Sequence, residues 1–219
     1  MSKRIFDILL AAASILALSP LFALIALFVK FGSPRGPILY RSQRIGRWGK
    51  PFWFLKFRTM VVNADMIGGP STAEDDPRIT RVGSLLRKYK LDELPQLLNV
   101  LRGEMSIVGP RPEVPEYAAL LTDRERIILS VPPGLTDWAT LWNSDEGAAL
   151  AGSSDPEREY VERIRPTKIA LQLEYVRRHS LLTDVVILFR TFVAIVFQSS
   201  FRPKESTPRE ISALGHELD

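Results

Sequence analysis

The chain contains no cysteine, which excludes a disulfide framework and any thiolate metal site. Histidine is almost as scarce: His179 and His216 are the only two, far apart in sequence, which disfavours a histidine-built zinc site. Carboxylates are left as metal ligands, and they suit a hard ion such as Mg²⁺. No internal repeat or low-complexity tract occurs. Net charge is +4, with a pI near 9.5. That balance suits nucleic acid, anionic lipid or a phosphorylated substrate without choosing among them. At 219 residues the chain is long enough for one domain with a core and a short extra element.

Charge is missing altogether from Ile8 to Val29, where only Ser14, Ser19 and Pro20 are not apolar. A helix of roughly 20 such residues crosses a bilayer. The run is too long for a cleaved signal peptide, and Lys30 and Phe31 follow it in place of a small-residue cleavage site. Lys3 and Arg4 precede it, and Lys30 and Arg35 follow it. Positive residues favour the cytoplasmic side, so a simple crossing has no preferred direction. Pro20 removes a backbone donor and clashes with the carbonyl four residues back. Ser19 can bond to a carbonyl freed in this way. Two readings fit these residues: a single-pass anchor with a proline kink, or a helix that enters, bends at Ser19-Pro20 and leaves on the same side.

Beyond the apolar run, residues 34–41 and 51–59 read as short strands around a turn at Gly46–Gly49. Residues 63–77 read as a loop. Leu94, Leu97, Leu98 and Leu101 fall at helical spacing, with Gly103 as a stop. Met105–Val108 reads as a short buried strand ended by Gly109–Pro112. Helical patterns follow at 113–130 and 156–179, with a long loop expected over 131–155. Residues 185–197 are strongly apolar around Arg190 and too short to span. They form either a core helix or, the preferred reading, a helix in the membrane interface with Arg190 reaching the headgroups. The tail beyond Phe201 is polar.

Asp92 and Glu93 are consecutive. In mid-helix such neighbours point about 100° apart. Asp92 at an N-cap relaxes that restriction and places Pro95 in the first helical turn. The bland reading is that Asp92 only caps the helix and Glu93 favours its dipole. The surroundings argue for more. Arg78, Arg81, Arg87, Lys88 and Lys90 come just upstream, and Arg111 lies between Pro110 and Pro112. Lys56 and Arg58 share one face of an expected strand. Lys88 and Lys90 read as solvated surface charges, whereas Arg111 in its proline frame suits a fixed phosphate fork. A carboxylate beside Mg²⁺ and several arginines is what phosphoryl transfer needs, since positioning and charge neutralisation do most of that work. An aspartate can also serve as nucleophile through an acyl phosphate.

KRIFD, SPLF, LKFRTM from Leu55, and the block from Asp76 to Pro112 containing LDELPQLLNVLRGEMSIVGPRP carry a resemblance. Over nearly the whole chain the sequence resembles the bacterial sugar transferases, the small monotopic polyprenol-phosphate phosphoglycosyl transferases. The resemblance implies an α+β membrane protein: a re-entrant helix over 1–32 broken at Ser19-Pro20, a cytoplasmic catalytic domain over 33–200 with an interfacial helix near 183–198, and a polar tail over 201–219. It also implies transfer of a sugar 1-phosphate from a UDP-sugar to undecaprenyl phosphate, with release of UMP, at the cytoplasmic face of the bacterial inner membrane. Asp92 would be the nucleophile and a Mg²⁺ ligand, with Glu93 orienting or deprotonating the incoming lipid phosphate. Lys56, Arg58, Arg78, Arg87 and Arg111 are the expected phosphate-binding residues. The partners are the UDP-sugar, undecaprenyl phosphate and the bilayer, not nucleic acid, with a homodimer left open. Residues 136–155 depart from the family pattern after Trp138-Ala139, and no sugar-pocket residue is assigned there. Two other readings stand beside this one: a transferase that uses the carboxylates only to hold metal, and an anchored module that binds anionic lipid or nucleic acid.

Overall fold

The computed structural model describes residues 2–197, and the expected tail at 201–219 lies outside them. The chain combines nine α-helices with two small two-stranded sheets among the described residues. The long first helix α1 runs Ser2–Gly32. A hairpin follows, β1 (Leu39–Ile45) and β2 (Pro51–Phe57), antiparallel with Tyr40 opposite Lys56 and Ser42 opposite Phe54. Helices α2 (Arg81–Lys88) and α3 (Gln96–Arg102) flank the carboxylate pair. Strand β3 (Ser106–Val108) pairs in parallel with β4 (Gly134–Thr136), across the short helix α4 (Pro115–Ala118). Then come α5 (Trp138–Trp142), α6 (Glu146–Ala149), α7 (Pro156–Glu159), α8 (Arg165–Arg178) and α9 (Leu181–Phe197).

Several expected boundaries shift. The first strand begins at Leu39 rather than at 34, because Pro34 and Pro37 cannot donate to the ladder. The pattern at 113–130 yields only α4 and a 3₁₀ stretch over Glu125–Ser130. The loop expected over 131–155 instead holds β4, α5 and α6. Asp137 and Asp145 cap the two helices, accepting from Thr140 N at 2.7 Å and Ala148 N at 3.0 Å. The pattern at 156–179 is one continuous helical run, α7 and α8, joined through a π-turn at Tyr160–Ile164.

The main core gathers Phe52 and Phe54 of β2, Leu97 and Val100 of α3, Met105, Ile107 and Val108, Tyr175 and Val176 of α8, and Ile187 of α9. Burial of each large apolar side chain contributes about 1.5–3 kcal/mol. Asn99 closes the open edge of β2: its Oδ1 accepts from Leu55 N at 3.1 Å and its Nδ2 donates to Trp53 O at 2.7 Å. Gly103 ends α3 in the left-handed region, φ 85°.

The helix α1 is assigned as helix throughout, Pro20 included, so the expected interruption into two helices is absent at that level. Pro20 leaves the carbonyl of Leu16 without its helical donor, and Ser19 Oγ donates to it at 2.9 Å. Both ends of α1 dock on the same domain. At its start, Lys3 Nζ meets Asp184 Oδ2 at 2.5 Å and Val108 O at 3.0 Å. Arg4 donates to Val100 O at 2.6 Å and Leu101 O at 3.0 Å, satisfying carbonyls at the end of α3. Buried Asp7 accepts from Ser106 Oγ at 2.9 Å and Ile107 N at 3.1 Å. At its far end, Ile25 and Val29 bury against Phe57 and Leu86. Between these contacts Leu9, Leu16, Leu24, Leu27 and Phe28 stay exposed.

Helix α9 covers the apolar run expected near 183–198 and starts two residues earlier, at Leu181. Its Asp184 and Ile187 are fully buried, while Leu182, Val185, Phe189, Phe192 and Ile195 are exposed. Arg190 lies over the Trp138 ring, 5.7 Å from its centroid, so this cation packs against α5.

Candidate active site

Asp92 and Glu93 lie on a 3₁₀ turn, Leu91–Glu93. Lys90 precedes it in the left-handed conformation, φ 56°, uncommon for a residue with a side chain. The turn continues into Leu94 and Pro95, and α3 starts only at Gln96, so Pro95 and not Asp92 occupies the N-cap. Asp92 sits too far upstream to reach the first free amides of the helix. That corrects the capping expectation and leaves the carboxylate without a hydrogen bond among the described residues, although it is only 4% exposed. Lys56 Nζ stands 3.7 Å from Asp92 Oδ2.

Glu93 is engaged on both oxygens. Lys56 Nζ donates to Oε1 at 2.9 Å, Arg111 Nη1 donates to Oε2 at 2.9 Å, and Arg111 Nη2 donates to Oε1. Burial alone would raise the pKa of Glu93, but Arg111 and Lys56 hold it well below the usual carboxylate range. Glu93 in turn raises that of Arg111 against the opposing effect of burial. Both cations also flank the Phe54 ring, Lys56 at 5.5 Å and Arg111 at 5.9 Å from its centroid.

The proline frame of Arg111 is itself anchored. Its backbone N donates to Asp137 Oδ2 at 3.1 Å, and Gln172 Nε2 reaches its carbonyl at 3.3 Å. The turn lies so close to β4 that a Cβ on Gly134 would come within 2.1 Å of Gly109 N. Only glycine permits that approach.

The other expected phosphate residues are dispersed. Arg78 is spent on its own loop. It binds Asp76 through Nε and Nη2, at 3.0 and 2.7 Å, and donates to Ala64 O at 3.1 Å and Gly69 O at 3.3 Å. Its hydrogen bonds to Asp76 raise its pKa. Arg58 is buried and donates to Ser33 O at 2.5 Å, tying the end of β2 to the segment after α1. Arg87 lies half-buried in the last turn of α2, with no ion-pair or hydrogen-bond partner for its side chain among the described residues. The geometry therefore gathers Asp92, Glu93, Lys56 and Arg111, and leaves Arg87 without a partner among the described residues. It commits Arg78 to its own loop, and ties Arg58 to Ser33 O with its Nε and Nη1 buried and unpartnered.

The family model for bacterial sugar transferases matches residues 1–198. The chain belongs to the bacterial sugar transferase family. Among its relatives, the exopolysaccharide production protein ExoY of Sinorhizobium fredii is 44% identical over 209 residues, covering 89% of this chain and 85% of the relative. The UDP-glucose:undecaprenyl-phosphate glucose-1-phosphate transferase of Escherichia coli is 40% identical over 193 residues, 86% of this chain but 39% of that longer protein. The undecaprenyl-phosphate galactose phosphotransferase of Salmonella typhimurium is 37% identical, over 86% of this chain and 39% of its own length.

Two features of this sugar transferase escaped the sequence reading. Lys90, expected to be a solvated charge, is half-buried at the dyad turn, and burial pushes its pKa down while Glu93 opposes the shift. Its φ was the hidden signal, and no residue type announces it. The second is a buried triangle behind Arg111. Lys168 Nζ lies 2.8 Å from Glu113 Oε1 and donates to Tyr160 OH at 2.8 Å, while Tyr160 OH donates to Glu113 Oε1 at 2.9 Å. Burial opposes the charge on Glu113, but Lys168 holds its pKa down. The position of Glu113 directly after the Pro-Arg-Pro run was the available clue.

Proposed function

We propose that this phosphoglycosyl transferase moves a sugar 1-phosphate from a UDP-sugar to undecaprenyl phosphate, through a phospho-sugar carried on Asp92. Relatives named for glucose-1-phosphate or galactose phosphate transfer to undecaprenyl phosphate support the substrate class. Relatives named for exopolysaccharide production support a role at the start of such assembly. The observation that carries the reading is the contrast within the dyad: Glu93 is hydrogen-bonded and ion-paired on both oxygens, while the adjacent Asp92 accepts no hydrogen bond among the described residues and meets only Lys56, at 3.7 Å.

In the proposed sequence an Asp92 oxygen attacks the phosphorus that bears the sugar. The bond to the bridging oxygen breaks and UMP leaves with that electron pair. A phosphate oxygen of the lipid then attacks the same phosphorus, the acyl phosphate opens, and the Asp92 carboxylate is regenerated. No net proton transfer is required. Separating the two attacks means that two anionic substrates need not meet in one step. Lys56 and Arg111 offset charge on the transferred group, and Arg87 of α2 would add to them by turning toward the bound diphosphate. Glu93 positions Arg111 and Lys56. Its depressed pKa makes it a weak base, so the expected deprotonation of the lipid phosphate is not part of this mechanism.

A hard divalent ion fits this donor set. Among the described residues no group of three or more potential ligands gathers, and Mg²⁺ is commonly held by one or two carboxylates together with substrate phosphates. Asp92, together with the substrate diphosphate, would hold such an ion, which would supply positive charge toward the departing UMP.

The re-entrant reading of α1 belongs to the same proposal. It is supported by the docking of Lys3, Arg4 and Asp7 at one end and of Ile25 and Val29 at the other on a single domain. The exposed apolar faces of α1 and α9 would enter the cytoplasmic leaflet and hold the dyad near the headgroups.

The test is UMP release from a panel of UDP-sugars with undecaprenyl phosphate and Mg²⁺ in membranes. Release with at least one sugar, lost in Asp92→Asn, is expected. Folded, membrane-bound protein that releases none from any UDP-sugar overturns the reading.

A further inference from the structure

The inner face of the hairpin carries a cation that has no counter-ion. Ser42 and Arg44 alternate along β1 and so share a face, the one that presents Phe54 and Lys56 on β2 across the register. Ser42 Oγ and Arg44 Nε are both buried, and neither has a hydrogen-bond partner. Arg44 makes one long hydrogen bond, Nη1 to Pro112 O at 3.4 Å, and lies 5.4 Å from the Phe54 centroid. No carboxylate stands within ion-pair distance of it among the described residues. Glu113, the carboxylate that most favours its charge, is already paired with Lys168 at 2.8 Å.

Three cations thus surround one ring, Arg44, Lys56 and Arg111, at 5.4, 5.5 and 5.9 Å from the Phe54 centroid. Glu93 is shared between the last two, Asp92 also lies 3.7 Å from Lys56, and neither carboxylate pairs with Arg44. Arg44 as a residue is half-buried, but its Nε is buried, and a buried polar atom without a partner calls for a missing water, ion or ligand. With Nη1 turned to Pro112, the edge of the guanidinium without hydrogen bonds is the buried Nε together with Nη2, the pair that forms a side-on fork for two oxygens of one phosphate.

We infer that Arg44 is a further substrate-binding residue, whose Nε–Nη2 edge takes a phosphate group of one of the two substrates, with Ser42 Oγ as an accompanying donor. This rests on the transferase reading for the identity of the phosphate, which belongs either to the uridine nucleotide or to the polyprenyl phosphate.

The experiment compares wild type with Arg44→Gln, Arg44→Lys and Ser42→Ala in the full membrane-bound chain. It measures Tm, the Kd of UDP by titration calorimetry without turnover, and binding of undecaprenyl phosphate in nanodiscs. Removing a half-buried charge that has no counter-ion leaves Tm unchanged or raises it. Arg44→Gln is expected to weaken one of the two ligands about tenfold or more. Arg44→Lys should recover only part of that loss, because an ammonium offers no fork, and Ser42→Ala should weaken the same ligand to a smaller extent. The arm that weakens identifies the phosphate. Wild-type affinity in both arms, or weakening only in step with a falling Tm, overturns the inference. If wild type binds UDP yet releases no UMP from any UDP-sugar, the transferase reading fails on its own and the binding arms still decide the role of Arg44.

Discussion

Arg111 grips Glu93 with both arms of its guanidinium, Nη1 on Oε2 at 2.9 Å and Nη2 on Oε1, and Lys56 closes on the same Oε1 at 2.9 Å. The dyad is therefore asymmetric: one carboxylate organises two cations through hydrogen bonds, and its neighbour meets only Lys56, at 3.7 Å. A planar fork makes that grip, and a point-charge ammonium cannot reproduce it. Arg111→Lys is expected to lower kcat about a hundredfold, the scale of one lost transition-state donor, with an unchanged circular dichroism spectrum. Near-normal turnover would reduce Arg111 to a packing cation.

Glu93→Gln should separate stability from chemistry. The Glu93 and Arg111 side chains keep 17% and 23% exposure, so the variant should lose about 1–3 kcal/mol at neutral pH, less than a fully buried pair. The pKa of Glu93 lies below its ordinary value of 4.5 in the fold. Its contribution is therefore fully present above that value and is lost as pH falls below it. Acid unfolding of the variant should show a shallower dependence through roughly pH 5 to 3. Equal slopes for the two proteins would contradict the pairing.

Asp184 ties three elements together, taking Lys3 of α1 at 2.5 Å and Tyr175 of α8 at 2.7 Å from its place on α9. Asp184→Asn leaves the ammonium of Lys3 without its partner. Because Lys3 is 29% exposed, the expected loss is about 2–3 kcal/mol, read as a fall in Tm and faster proteolysis near the start of α1. An unchanged Tm would show that the start of α1 docks by apolar contacts alone.

The re-entrant topology proposed for α1 is tested at its two ends. Cysteines placed by Ser2→Cys and Ser33→Cys should both resist a thiol reagent confined to the periplasm. Labelling at position 2 alone would establish a true crossing. Pro20→Leu restores the helical donor to Leu16 O, where Ser19 now substitutes, and should shift the protein toward such a crossing.

Much of this arrangement was legible residue by residue. The leucines from Leu94 to Leu101 and the stop at Gly103 marked α3, and the hydroxyl of Ser19 was expected to fill the gap left by Pro20. Asp137 and Asp145 were read as loop residues although each starts a helix, because an N-cap aspartate looks the same as a turn aspartate until the following amides are placed. The pairing of β3 with β4 spans about 25 residues of intervening chain, and three-residue strands carry no periodicity to read. Cations were the hardest to assign. Arg78 binds an aspartate two residues away, Arg111 a glutamate eighteen away, and Arg44 no carboxylate. Spacing counts positive charges but does not show which of them lack a carboxylate.

The most direct test of the central claim is intact-protein mass measurement after mixing the enzyme with its UDP-sugar and Mg²⁺ in the absence of lipid. The account predicts release of up to one equivalent of UMP and a gain of one sugar phosphate on the peptide holding Asp92. Asp92→Asn should lack the adduct, while Glu93→Gln should still form some of it. Subsequent undecaprenyl phosphate should discharge the adduct. No UMP before lipid is added, and an unmodified Asp92 peptide after rapid quench during turnover, would contradict it.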